Sequence, residues 1–377
     1  MVIDIGKLKE ETENKAAGQG WFKKFYQKLK LVNLISQKDI IFFTQNLQVM
    51  IRSGLPLDRS LKTLAEQTKN HKFQNILQDL AKSTEQGIAF HESLKKYEKI
   101  FGQITINMVK AGEVSGKLED VLKQIYLQIK KAHELKSKIK AAMIYPVIIV
   151  IAMIVIGIIM FIVVIPKITS LFDQMEAELP LATKILISTS NFTTNNGLFI
   201  LLGVLVAIIL FIASLKNKKI SYFYHELSLG LPIFGEIIKK INLAKFSRTV
   251  SSLIKTDIPI VKTLNITSQI MSNKVYRKAL KESAESIKSG ASLTDILKTY
   301  PKLFPPIIIQ MSAAGEETGS LDEILTEIAS FYEEEIDQIM KTLPSIIEPL
   351  LILVLGVGVG AMAVAIIMPM YSLTQQM

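Results

Sequence analysis

From residue 36 to residue 141 the apolar positions recur at helical spacing. Ile40, Phe43, Leu47, Met50 and Ile51 mark one face of a first helix, which Gly54-Leu55-Pro56 breaks. Leu57, Leu61 and Leu64 open a second helix, with Asp58 in the first turn, where the helix dipole favours a carboxylate. Further periodic runs occupy Phe73 to Glu85, Ala89 to Lys95, Gln103 to Lys110 and Leu118 to Lys140, and no alternating strand pattern competes with them. The pattern predicts a bundle of about six short helices whose last member continues into an apolar stretch. Three such stretches, 142–165, 198–215 and 345–368, approach the roughly 20 residues that cross a bilayer core. The first two carry no charged side chain, and the third carries only Glu348 near its start.

The helical pattern is written twice. Pro56 recurs as Pro259, Pro146 as Pro349 and Pro166 as Pro369, each at an interval of 203 residues. The octapeptide pattern Ala-Gly-Glu-x-x-Gly-x-Leu at Ala111–Leu118 returns at Ala314–Leu321 on the same interval, as do Phe43/Phe246, Gly87/Gly290, Tyr97/Tyr300, Phe101/Phe304 and Met108/Met311. Residues 243–344 therefore repeat the plan of the first bundle, and each copy ends in a membrane span.

Lysines orient the spans. Lys130, Lys131, Lys136, Lys138 and Lys140 crowd the approach to the first, and Lys216, Lys218 and Lys219 follow the second. The connection between them, Pro166 to Gly197, holds only Lys167 and Lys184 against Asp173, Glu176 and Glu178. By the positive-inside rule the N-terminus is cytoplasmic, residues 166–197 are external, the second bundle is cytoplasmic again and the tail is external. Glu333, Glu334, Glu335 and Asp337 run against this scheme just before the third span, but acids count little in the rule.

The expected fold class is thus an all-α integral membrane protein with two homologous cytoplasmic helical-bundle domains and three transmembrane helices. Its segments are a cytoplasmic N-terminal arm (1–35), a first domain (36–141), spans at 142–165, 198–215 and 345–368, an external loop (166–197), a second domain (216–344) and a short external tail (369–377). Within the arm, Trp21 to Leu31 sets Lys23, Lys24, Lys28 and Lys30 beside Trp21, Phe22 and Phe25, a composition suited to anionic lipid. The arm has no apolar core followed by a cleavage site and is not read as a secretory signal.

Composition narrows the chemistry. Apolar residues make up 49% of the chain and charged residues 21%, too apolar for a purely soluble protein and too charged for a compact transporter. There are no cysteines, and the four histidines (His71, His91, His133, His225) have no metal-ligand spacing, so neither a metal nor another cofactor is expected. Gly112 to Leu118 superficially resembles a phosphate-binding loop. It has one residue too few between its glycines, Leu118 in place of a Ser or Thr, and Ser320 replacing the lysine in the second copy. The net charge of +10 is met by no aromatic platform or groove-reading motif, so nucleic acid is not an expected partner, whereas membrane lipids are.

Candidate residues are structural and interacting. Gly112 and Gly315 are placed to end a helix through a left-handed residue, and Ser320 to Glu323 reads as a capping box opening the next one. Glu113 and Glu316 at the same corner, with Gly116 and Gly319, suit helix-terminal hydrogen bonds within the domain, the alternative being contact with a partner or a cation. Pro146 and Pro349 are expected to bend the first and third spans, and Pro166 and Pro369 to mark their outer ends. Gly356, Gly358 and Gly360 form a small-residue face able to pack closely in lipid. The copies differ in charge: residues 36–141 hold 18 basic and 11 acidic side chains, residues 216–344 hold 17 and 15, and residues 316–337 carry nine acids and no Lys or Arg. That difference suggests different neighbours for the two domains.

Lys138-Ile-Lys-Ala-Ala-Met-Ile-Tyr-Pro146 with Val164-Ile165-Pro166, Leu231-Pro-Ile-Phe-Gly235 leading to Phe246-Ser-Arg, and Glu348-Pro349 with Met368-Pro369 resemble the inner-membrane platform family of type IV pili and type II secretion, the PilC/GspF family. The resemblance spans about residues 36 to 373, departing where Asp257 replaces the small residue that Gly54 supplies in the first copy and where residues 1–35 lack a glycine-containing pattern. It implies a bacterial inner-membrane protein that is not an enzyme. It further implies a homo-oligomer, a dimer, that links a hexameric cytoplasmic assembly ATPase and other platform proteins to pilin or pseudopilin subunits entering a filament. A transporter or channel subunit is the alternative, disfavoured by nearly charge-free spans.

Overall fold

The computed structural model describes residues 35–167, 169, 181–215 and 217–374. The amphipathic stretch Trp21–Leu31, most of the N-terminal arm, part of the 166–197 connection and the end of the tail lie outside the described residues. Among the described residues every regular element is helical. In chain order they are α1 (Gln37–Arg52), α2 (Leu57–Gln67), α3 (His71–Glu85), α4 (Phe90–Lys95), α5 (Glu98–Ser115), α6 (Leu118–Ile159) running into a π-helical turn (Met160–Val164), α7 (Leu181–Asn195), α8 (Gly197–Ser214), α9 (Lys218–Gly230), α10 (Phe234–Ile254), α11 (Ile260–Ile270), α12 (Lys274–Lys288), α13 (Leu293–Lys298), α14 (Pro306–Thr318) and α15 (Leu321–Thr374). The chain divides into two compact units. One holds residues up to Lys130 with Lys255–Ile258, and the other holds Lys131–Ile254 with Pro259 onward.

In the first unit, α1 to α5 and the start of α6 enclose a core of Phe43, Leu47, Leu61, Leu64, Phe73, Leu77, Leu80, Met108 and Val109. Ile40, Phe43 and Leu47 of the predicted stripe are buried, as the helical period requires. Three rings organise this core: Phe43 meets Phe73 at 5.7 Å and Phe101 at 5.6 Å between centroids, and Phe73 meets Phe101 at 6.2 Å. Local chemistry starts the helices. Ser36 and Asp39 form a reciprocal capping box on α1, and the Asn70 side chain caps α3 through the amides of Lys72 and Phe73.

The second unit repeats this core on the 203-residue interval. Phe246 packs on Phe304 at 5.2 Å and Tyr276 on Phe304 at 5.7 Å, in the places of Phe43, Phe101 and Phe73. A tyrosine in the place of Phe73 brings a hydroxyl into a fully buried position. Tyr276 satisfies it by donating to the carbonyl of Leu303 at 2.8 Å, and burial pushes the phenol pKa up. Helix α10 lies along α15, tied by Arg248 to both oxygens of Glu333 (2.9 and 3.0 Å), by Lys240 to Glu335 (2.7 Å) and by the Ser251 hydroxyl to the Asp322 carbonyl (2.8 Å).

Among the described residues three helices are long and apolar enough to cross a membrane: α6 with its continuation to Lys167, α8, and α15. Their flanks are bare of protein, as Ile148, Ile154, Leu210 and Leu353 illustrate, each more than half exposed. A lipid bilayer supplies the apolar environment that such side chains need. The connection read as an external loop contains α7. The Ser190 hydroxyl of α7, almost fully buried, donates to the Phe161 carbonyl of the π-helical turn at 2.6 Å, using an acceptor that the altered hydrogen-bond register makes available.

Candidate functional site

The repeated Ala-Gly-Glu-x-x-Gly motif sits where α5 turns into α6 and where α14 turns into α15. These are the long helices that carry each bundle into the membrane. Each motif residue has a distinct mechanical task. Gly112 does not end its helix: it lies buried inside α5, and the left-handed residue that ends it is Gly116 (φ 71°). Lys117 N donates to Gly112 O at 2.9 Å and Gly116 N to Glu113 O at 3.4 Å, the paired bonds of a Schellman turn. Gly315 likewise lies inside α14, and Gly319 (φ 70°) closes it. The first glycine is required for proximity. A Cβ on Gly112 would stand 2.8 Å from Val121 Cγ2, and one on Gly315 would stand 2.9 Å from the Cα of Leu321. Two helices joined by so short a turn touch at their backbones, which leaves no room for a side chain.

The glutamate clamps a third helix. Glu113 accepts the amide of Phe90 at 2.5 Å on one oxygen and that of His91 at 2.9 Å on the other, with His91 Nδ1 also 2.5 Å from the carboxylate. Glu316 accepts Leu293 N at 2.7 Å and Thr294 N at 3.0 Å, and the Thr294 hydroxyl as well. Helices α4 and α13 have six residues each, too few to be stable alone, and their first amides have no intrahelical acceptor. A carboxylate at the positive end of the helix satisfies two of them at once. Glu113 and Glu316 therefore lock the short helix onto the corner from which the membrane helix starts. At Ser320 the structure differs from the expected capping box: its hydroxyl lies 2.6 Å from that of Thr318.

A second cluster lies in the second unit, where α6 and α15 approach their spans. Lys138 pairs with Asp337 at 2.8 Å, Lys341 pairs with the same carboxylate at 3.0 Å, and Lys131 stands 3.7 Å from Glu333. Lys131, Glu134, Leu135, Lys138, Ser330 and Glu334 contribute to a groove of about 170 Å³ between the two helices. The hydrogen bond from Lys138, joined by that from Lys341, holds the Asp337 carboxyl below the usual carboxylate range. Two of the acids that ran against the charge rule, Glu333 and Asp337, thus face Lys131 and Lys138 on the approach to the first span. Glu316, Glu333, Glu335 and Asp337 all have partners inside the chain, so four of the nine acids in residues 316–337 serve internal bonds.

The remaining candidates are placed as follows. Pro146 lies inside α6 and Pro349 inside α15, and both helices continue through them. Pro166 follows the π-helical turn, and Pro369 lies in the last turns of α15. Apart from the adjoining residues and backbone of the same helix, no heavy atom of the described chain comes within 4 Å of a Cβ placed on Gly356, Gly358 or Gly360. Sequence reasoning missed the pairs Phe73/Tyr276 and His91/Thr294, although both stand on the 203-residue interval.

These features define a class: a multi-span membrane protein in which a duplicated helical bundle is wired directly into its spans. The sequence model of the family described as Type II secretion system (T2SS), protein F, matches residues 43–166 and again residues 246–369, boundaries that keep the 203-residue interval. The chain belongs to this family. It is 35% identical over 342 residues to the type IV pilus assembly protein PilC of Thermus thermophilus, covering 89% of this chain and 82% of that protein. It is 33% identical to PilC of Pseudomonas aeruginosa, covering 90% and 91%. With the type II secretion system protein F of Vibrio cholerae it shares 31% identity over 91% and 84%. These relatives give the transporter reading no support.

Proposed function

We propose that this chain is an inner-membrane platform for assembling a type IV pilus or a type II secretion pseudopilus. In this reading it couples a cytoplasmic assembly ATPase to the insertion of pilin-like subunits, as a scaffold without chemistry of its own. The observation that carries the reading is the continuity of α6 and α15, each a single helix from the clamped corner of its bundle into a candidate span. In this reading a displacement of a bundle is passed along its own helix toward the membrane. Both bundles face the cytoplasm, residues 166–197 and the tail face outward, and the chain works as a homo-oligomer beside other platform proteins; the lysine bias supports that orientation.

The test is an in-frame deletion in the native host, complemented in trans, with solubilised full-length protein used to capture the assembly ATPase. Loss of surface filaments or of secretion, restored by the intact gene, together with recovery of the ATPase, is the expected result. Normal filaments and secretion in the deletion strain would overturn the reading.

A further inference from the structure

Helix α9 is amphipathic in an unusual sense: its inner face is packed, and its outer face is apolar and left uncovered by the described residues. Ser221 is 3% exposed, Leu229 packs against the core of the second unit, and the His225 carbonyl accepts from Asn273 Nδ2 at 3.0 Å, so residues 221, 225 and 229 face the protein. At about 100° per residue, Ile220, Phe223, Tyr224 and Leu227 lie on the opposite side. Phe223 is 62% exposed and Leu227 54%. The surface continues past the helix through Leu231, Ile233 and Phe234, all exposed. Ile233 holds φ at 64°, a left-handed conformation that costs a β-branched residue about 1–2 kcal/mol. The loop thus accepts strain while turning an isoleucine outward.

Two observations identify what covers this face. Only Leu215 to Asn217 separate α9 from the apolar span α8, and the rings of Phe211 and Tyr224 meet edge to face at 5.5 Å. Phe211 stands within roughly one helical turn, about 5 Å, of the end of α8. Tyr224 is therefore level with the last turn of the span, and α9 folds back along the membrane boundary. Cations flank it: Lys219 is exposed, Lys278 Nζ stands 5.7 Å over the Tyr222 ring, and Arg277 is exposed next to His225. Burial, with Lys274 and Arg277 nearby, lowers the His225 pKa. Glu226 is the single carboxylate in the α9 sequence. Aromatic and aliphatic groups beside a basic rim match the chemistry of an anionic bilayer surface.

We propose that α9 and the Leu231–Phe234 loop form an interfacial element seated in the headgroup layer of anionic lipid, holding the second helical bundle against the membrane. The proposal requires α8 to span the bilayer and is independent of the pilus and secretion reading. The absence of cysteine allows a direct test in the full-length chain. Nitroxide labels are attached to Phe223→Cys, Leu227→Cys, Glu226→Cys and, within the span, Leu205→Cys. The proteins are reconstituted in phosphatidylcholine vesicles with or without phosphatidylglycerol, and collision rates with oxygen and with a water-soluble nickel chelate are compared.

Labels at 223 and 227 are expected to favour oxygen over nickel several-fold more than the label at 226, and more strongly with phosphatidylglycerol present. Arg277→Gln combined with Lys278→Gln should remove that lipid dependence. Nickel access at 223 and 227 equal to that at 226 would overturn the proposal, as would protection from both reagents, which would place protein, such as a second copy, on this face. Equal depth in both lipids would overturn the anionic preference. A label at 205 that fails to favour oxygen would instead overturn the span on which the proposal stands.

Discussion

The two copies of the bundle keep one region and diverge in another, and the contrast separates what the fold needs from what each copy does. At the corner between the fifth helix and the membrane helix, Gly112, Glu113 and Gly116 have the same tasks as Gly315, Glu316 and Gly319: close approach, a clamp on the short helix, and a left-handed stop. Along the membrane helix the copies part. Arg248 and Glu333 form a bidentate ion pair, whereas the equivalent positions hold Gln45 and Lys130. Lys240 and Glu335 pair, whereas their counterparts are Gln37 and Ala132. The acids gained by the second copy bond to α10 and, within the same unit, to Lys131 and Lys138 of α6. A charge difference that suggested different outside neighbours is in part an internal pairing code. The acids left for partners include Glu323 and Glu327, and their charge reversal is the sharper probe of docking.

The largest effect is expected where the copies agree most. Gly315→Ala forces a Cβ onto the Leu321 backbone and should destabilise by about 3 kcal/mol, the upper range for overpacking. Gly112→Ala places a Cβ 2.8 Å from Val121 Cγ2 and 2.9 Å from Val121 Cβ, an atom that moves only with its backbone, and should cost a similar amount. Thermal melts of the detergent-solubilised chain measure both, and a Tm unchanged by either substitution would break the close-approach role of that glycine.

Removing the clamp comes next. Glu113→Ala and Glu316→Ala each strand two amides at a helix start and should cost about 2 kcal/mol. Amide exchange localised to α4 or α13 distinguishes this from general loosening. If exchange rises equally everywhere, the clamp has no local role.

A smaller effect is predicted at the turn after the first helix of each copy. Gly54 and Asp257 both sit left-handed, at φ 81° and 59°. Gly54→Ala should lose about 1 kcal/mol, and Asp257→Gly should gain several tenths, reduced by the lost pair with Lys117 Nζ at 3.0 Å. A Tm that falls in Asp257→Gly would show that the ion pair outweighs the backbone strain.

The smallest effect belongs to the exposed pair Lys138–Asp337. Asp337 has a depressed folded pKa, so its contribution is present above the ordinary carboxylate pKa and is lost as pH falls through the folded value. The wild-type Tm should therefore lose a small increment below that range which Asp337→Asn lacks at every pH. Exchanging the charges, Lys138→Asp with Asp337→Lys, should recover most of what either single change removes. Identical pH profiles for wild type and Asp337→Asn would end the assignment.

Helical periods, the three spans, the duplication and even the motif at the corner were all legible in the linear order of residues. Those signals are local: a period repeats within a few turns, an apolar run is contiguous, and a copy preserves its intervals whatever the fold. The task of Gly112 was misplaced by four residues because helix ends depend on which glycine adopts the left-handed conformation, and that glycine is Gly116, while Gly112 serves the close approach to Val121. Glu113 was assigned to the correct corner, but its acceptor role on α4 exists only because packing brings Phe90 and His91 to it. The partners of Glu333 and Asp337, and the two faces of α9, were likewise decided by tertiary structure alone. A charge or an apolar stripe states what a side chain prefers. Only the arrangement of distant helices states whether protein, water or lipid meets that preference.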